Sequence, residues 1–174
     1  SEDLRRMLME LAALTDKLTV EWTPPSDGPE RPCVRVLRAD GTDTGIAFHG
    51  VPGGHEFNSF VVGLYNAAGP GQSIDPALAE AIAAIDRPLD LQIVVALSCT
   101  MCPELVIAAQ KIAASNPLVT AKVYDVNHFP ELRERYKIMS VPCLIINKAQ
   151  VAFGKKTLGQ LLELLAEPEA GQTG

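Results

Sequence analysis

The chain has 174 residues, 47% of them hydrophobic and 21% charged, with a formal net charge of -6. That leaves room for one ordinary domain or two small ones around a real core, and it excludes a disordered chain. An acidic surface repels phosphate backbones, so nucleic acid is not an expected partner. No apolar run approaches the roughly 20 residues needed to cross a bilayer, so no membrane partner is expected either.

Leu4, Met7, Leu8, Leu11 and Leu14 fall at three- and four-residue steps and predict an amphipathic helix over 2–16. Residues 18–23 read as a short strand, and Pro24-Pro25-Ser26-Asp27-Gly28-Pro29 as a loop. Residues 33–38 and 45–48 form a hairpin around the turn at 39–43. A helix over 55–66 is expected to carry Phe57, Phe60, Val61 and Leu64 on one face. Ile74, Leu78, Ile82 and Ile85 mark another, with Asp75-Pro76 as its N-cap and first turn. Residues 89–97 are almost all apolar, as in a strand buried on both faces. A helix then runs to about Ser115, where Asn116-Pro117 stops it. A strand at 118–125, a short helix at 129–136, a second hairpin over 143–147 and 151–153, and a helix at 157–166 complete the chain. The tail from 167 is expected to be loose.

The pattern echoes itself. Pro32-Cys33-Val34 opens a hairpin that leads to Ala47-Phe48-His49-Gly50 and a helix. Pro142-Cys143-Leu144 does the same, leading to Ala152-Phe153-Gly154 and a helix. The expected organisation is a first half at 1–70, a connecting helix at 71–88, a second half at 89–166 and a tail at 167–174.

The chemistry sits in Cys99-Thr100-Met101-Cys102-Pro103. A C-x-x-C at a strand–helix junction places thiols where free N–H groups and the helix dipole favour a thiolate, the attacking species in disulfide exchange. Cys99 is expected to be the exposed nucleophile, and Cys102, one turn in, the resolving thiol. Pro103 fits the first turn because it has no N–H there to waste. Pro142 precedes a strand and is a candidate cis-proline; a trans proline starting an edge strand fits the same sequence. Four cysteines, two of them paired at this spacing, suit a cytoplasmic redox or metal protein better than a secreted disulfide scaffold.

Residues 89–166 resemble the thioredoxin/glutaredoxin superfamily. The match is closer to the N-terminal domain of the flavoprotein component, the F chain, of bacterial alkyl hydroperoxide reductase. The stretches that carry it are Phe48-His49-Gly50-Val51-Pro52-Gly53-Gly54-His55-Glu56-Phe57, Leu97-Ser98-Cys99-Thr100-Met101-Cys102-Pro103-Glu104, and Met139-Ser140-Val141-Pro142 with Phe153-Gly154-Lys155-Lys156-Thr157-Leu158. The resemblance implies an α/β fold made of two fused thioredoxin-like units, with a mixed sheet covered by helices. It implies a protein-disulfide reductase, a component of alkyl hydroperoxide reductase, that relays electrons from a flavoprotein dithiol to a peroxiredoxin disulfide. Cys99, Cys102 and Pro142 would carry the catalysis, and Glu56 would approach from the redox-inactive first half. On the residues alone, Glu56 reads equally as a favourable charge at a helix N-terminus.

No Gly-x-Gly-x-x-Gly follows an expected strand, so FAD and NADH are implied only on a partner domain or protein and no cofactor is expected in this chain. Three departures from the family pattern stand out. Ser98 replaces the tryptophan of thioredoxins. Cys143 follows Pro142, either as an inert core thiol or as a third redox sulfur. The first helix has no strand before it, so the first half is expected to lack its first strand unless one comes from an upstream segment or elsewhere. The alternatives are a general protein-disulfide reductase, a zinc or iron–sulfur module using the C-x-x-C, and an adaptor with a vestigial dithiol.

Overall fold

The computed structural model describes residues 1–24 and 29–167. Parts of the expected loop (25–28) and tail (168–174) lie outside the described residues. Helix α1 spans Glu2–Ala13, β1 Cys33–Leu37, β2 Asp43–His49, α2 Glu56–Ala68 and α3 Pro76–Ala83. Then come β3 Leu89–Val95, α4 Cys102–Ser115, β4 Val119–Asp125, α5 Glu131–Arg135, β5 Cys143–Ile146, β6 Gln150–Phe153 and α6 Leu158–Ala166.

The strands form one mixed sheet in the order β1-β2-β4-β3-β5-β6. β2, β4 and β3 run parallel, and antiparallel partners flank them on both sides. The apolar run of β3 suits its central place. Leu91, Ile93 and Val95 enter the large core beneath α2, α4 and α6, while Val94 enters a second core beneath α5. Caps set several helix ends. The Asp75 carboxylate accepts from the Ala77 N–H ahead of Pro76, and Thr157 and Gln160 form a reciprocal capping box that starts α6.

The echo in the sequence is matched in three dimensions. Arg31–Pro32 and Val141–Pro142 are both cis, and each opens a hairpin on a cysteine. At the far end of each hairpin a glycine N–H returns to the proline carbonyl: Gly50 to Pro32 at 2.7 Å, and Gly154 to Pro142 at 3.1 Å. The chain therefore builds the same hairpin-then-helix unit twice, the first joined to the central strands through the parallel β2–β4 ladder and the second through the antiparallel β3–β5 ladder.

Two expectations fail. Residues 18–23 form no strand: the described sheet ends at β1, and no ladder joins them to it. Phe57 does not join the apolar face of α2: it is 43% exposed, and the helix buries Glu56, Ser59, Phe60, Gly63, Asn66 and Ala67 instead. The side chain of Gln110 on α4 occupies the space beside Gly63, where a Cβ would come within 2.7 Å of its Oε1. Small and polar residues therefore let the two helices approach, and the core face of α2 is turned away from Phe57.

Ile93 is fully buried on the central strand. Ile93→Ala is expected to destabilise the chain by about 3 kcal/mol with an unchanged denaturant m-value, measured by urea unfolding.

Candidate active site

Because β2, β3 and β4 are parallel, their C-terminal ends lie along one edge of the sheet, and α2 and α4 both begin there. At this edge Cys99 and Cys102 are joined as a disulfide, with Cα atoms 5.6 Å apart. Cys102 is the first residue of α4 and is completely buried, with Pro103 following in the first turn. It therefore starts the helix rather than lying a turn inside it. Cys99 sits in the preceding turn, its N–H bonded to the Ala96 carbonyl at 3.0 Å. It is half-buried rather than exposed, yet it is the accessible sulfur of the two. Met101 close by is exposed, as is Met139 on the facing loop.

That facing loop ends in the cis Val141–Pro142 bond. The Val141 carbonyl oxygen lies 3.9 Å from the Cys99 sulfur. The proline loop and the dithiol, far apart in sequence, thus form one surface.

The first half of the chain reaches the same place. The His55 N–H donates to the Leu97 carbonyl at 2.9 Å. Gly54 beside it has φ +53, and a Cβ there would sit 2.6 Å from the Leu97 oxygen, so only glycine lets the chain pass so close. Glu56 follows as the first residue of α2, fully buried, at the same end of the α2–α4 pair as Cys102. The buried Ser59 hydroxyl bonds to its Oε2, while Oε1 has no partner. Burial raises the Glu56 pKa to about 7, and the Ser59 hydrogen bond opposes the rise.

The other two cysteines do not join the dithiol. In β5, Leu144 points into the core beneath α4, whereas Cys143 points to the opposite face, among the residues around α5. It is completely buried, and desolvation raises its pKa to about 11. A third redox sulfur at the pair is ruled out by that orientation. Cys33, at the matching position of the first hairpin, lies 3.8 Å from His49 Nε2. Burial raises its pKa to about 11 and lowers that of His49, so both groups stay neutral and form no thiolate–imidazolium pair. The His49 ring instead stacks on Tyr124, with centroids 4.2 Å apart. Among the described residues, no three His, Cys, Asp or Glu side chains converge to hold a metal. No helix among them is long and apolar enough to cross a membrane.

Sequence reasoning placed Cys99, Cys102, Pro142 and Glu56, and the structure gathers them at this edge. It missed Ser59, whose signal was its position one helical turn after Glu56. It also missed the cis bond at Pro32, which the shared Pro-Cys-apolar pattern of the two hairpins could have suggested.

A dithiol between a buried strand and a helix, facing a cis-proline loop on a mixed sheet, defines a thioredoxin-like protein. The thioredoxin-domain family matches residues 89–166. The N-terminal domain of the alkyl hydroperoxide reductase AhpF from Enterococcus faecalis superimposes with a TM-score of 0.89 at 39% identity, over 94% of this chain and 83% of that one. The AhpF chain of the alkyl hydroperoxide reductase of Pseudomonas aeruginosa is 33% identical over 98% of the chain, which spans 32% of its length. A protein named NADH dehydrogenase from Ferdinandcohnia aciditolerans is 31% identical over 99% of the chain, which spans 33% of its length. The chain belongs to the thioredoxin superfamily, in the family of AhpF N-terminal domains. It spans about a third of the length of the curated relatives it matches.

The raised Glu56 pKa has a consequence for stability. The folded state favours the protonated carboxyl, so stabilisation relative to the unfolded chain is complete below the ordinary value of 4.5 and is lost as pH rises through about 7. Glu56→Gln is expected to gain on the wild type by on the order of 3 kcal/mol between pH 4.5 and pH 8, read from parallel urea melts.

Proposed function

We propose that this chain is a thiol–disulfide relay, taking electrons from the dithiol of a flavoprotein domain or partner and passing them to the disulfide of a peroxiredoxin. The observation that carries the reading is the Cys99–Cys102 disulfide, whose accessible sulfur faces the Val141 carbonyl while its partner sulfur is sealed at the start of α4. The named relatives support the choice of partners.

The steps follow from that asymmetry. A flavin-linked dithiol reduces the Cys99–Cys102 bond, becoming a disulfide itself. The Cys99 thiolate then attacks one sulfur of the peroxiredoxin disulfide, forming a mixed disulfide and releasing the other sulfur as a thiolate. The Val141–Pro142 segment, lying against Cys99, borders the surface on which the peroxiredoxin chain rests. Cys102 loses its proton to Glu56 and attacks Cys99 Sγ, which restores the internal disulfide and frees the second peroxiredoxin thiolate. A base whose pKa lies near neutrality can accept a thiol proton and return it to solvent within one turnover.

Cys102→Ser is expected to accumulate a mixed disulfide with a peroxiredoxin, visible on non-reducing gels and identified by mass spectrometry. Cys99→Ser is expected to abolish both adduct and electron transfer. Normal peroxiredoxin reduction by the Cys99 variant would overturn the assignment. Glu56→Gln is expected to slow the resolving step about tenfold or more and to flatten its pH dependence near 7, measured by rapid-quench kinetics.

A further inference from the structure

The buried face of α2 carries a polar group that the relay does not yet use. Ser59 is completely buried. Its oxygen lies 2.9 Å from the Glu56 main-chain carbonyl and within hydrogen-bond distance of Glu56 Oε2. A hydroxyl has one proton, so it donates to only one of these acceptors at a time. When the carboxyl is protonated, Glu56 can donate to the Ser59 oxygen while Ser59 donates to the carbonyl. When the carboxyl is charged, it has no proton to give, and Ser59 must turn its own proton toward it. The backbone beneath is held from the dithiol helix: Gln110 Nε2 on α4 donates to the Ser59 carbonyl at 2.9 Å. Gln110 is itself buried, and Gly63 gives its side chain room.

We propose that Ser59 is a positioning residue for the relay, turning its single hydroxyl proton between the Glu56 main-chain carbonyl and the Glu56 carboxylate and thereby stabilising the charged carboxylate beside the dithiol. The inference rests on the reading of Glu56 as the proton acceptor. It adds the group that makes a buried carboxylate usable, and Gln110 ties that group to the helix that begins with Cys102.

The surroundings leave Ser59 as the controlling partner. The titratable and charged groups on α2 and the elements packed on it are Cys99, Cys102, Glu104 and Lys111 on or before α4, His55 just before α2, the exposed Tyr65 on α2, and Cys33, Arg35, Asp43 and His49 on the hairpin. Lys111 is committed to the Pro70 carbonyl at 3.0 Å. Arg35 pairs with Asp43, and His49 stacks on Tyr124 on the opposite face of the sheet. Glu104 is exposed. Burial pushes the Glu56 carboxyl up, and the Ser59 hydrogen bond opposes it.

The test uses the full chain labelled with carbon-13 at its glutamate side-chain carboxyls, with the Glu56 signal assigned by loss in Glu56→Gln. Titration of the oxidised protein, in which neither Cys99 nor Cys102 ionises, reads the carboxyl directly. Ser59→Ala is expected to move that titration upward by about one pH unit, since a hydrogen bond to a charged group is lost. Ser59→Thr, which keeps the hydroxyl, is expected to leave it near the wild-type position. In parallel, oxidation of the reduced chain by hydroxyethyl disulfide is followed by acid quench and mass spectrometry. Its pH profile in Ser59→Ala is expected to shift upward with the titration and to rejoin the wild-type rate at high pH. Circular dichroism establishes that each variant is folded. A Glu56 titration that stays in place in folded Ser59→Ala overturns the role of Ser59. A titration that moves while the rate profile stays fixed supports the hold of Ser59 on Glu56 and overturns the reading of Glu56 as the acceptor.

Discussion

The parallel pairing of β2 with β4 is the constraint on which the rest of the molecule depends. Four residue pairs, from Ile46–Ala121 to His49–Tyr124, join the first hairpin to the central strands of the sheet. β3 also runs parallel to β4, so β2 and β3 end at the same edge, and α2 and α4, which follow them, start there. Glu56 and Cys102 become the first residues of two adjoining helices for that reason. An antiparallel junction would have sent the first residue of α2 to the opposite edge of the sheet. The polar contacts between the helices refine this arrangement but do not create it. Gln110 and Gly63 set how closely α2 and α4 approach, and Gly54 sets how closely the chain before α2 passes the turn leading to Cys99.

The sheet also sorts the sulfurs. Alternation along a strand sends successive side chains to opposite faces, so Cys143 lies beneath α5 while its neighbour Leu144 supports the dithiol helix. Cys33 follows the same rule in the first hairpin, with Val34 turned to the large core. Burial keeps both thiols protonated well above neutral pH, which withholds them from exchange. Cys99 and Cys102 instead meet as a disulfide at the start of α4. One chain thus holds two thiols set into the sheet and one disulfide at a helix end, sorted by strand alternation and by where the helix begins.

Much of this was legible in the sequence, for identifiable reasons. β3 was plain because its unbroken apolar run fits a doubly covered strand, and α3 because Asp75-Pro76 announces its start. The dithiol and Pro142 were legible because few residue types serve their positions. The strand expected at 18–23 failed because its alternation describes a surface suited to pairing and says nothing of whether a neighbour exists. Phe57 left the apolar face expected for α2, while Phe60 and Leu64 kept it, because the helix packs on another helix through Ser59, Gly63 and Gln110. A pattern that counts only apolar residues misreads a contact made by small and polar ones. Glu56 was ambiguous for the same reason: a carboxylate in a first helical turn is ordinary, and only its complete burial sets this one apart.

The closure of each hairpin, Gly50 to Pro32 and Gly154 to Pro142, has a further meaning. The molecule carries its own reference copy. One closure lies in the unit without a redox pair and the other directly behind the loop that faces Cys99, yet both use the same atoms. The two copies differ in setting, since one opens on the edge strand β1 and the other on β5, which lies between β3 and β6. The repeated closure is thus an internal comparison, with the disulfide beside one copy and the buried Glu56 at the start of the helix that follows the other.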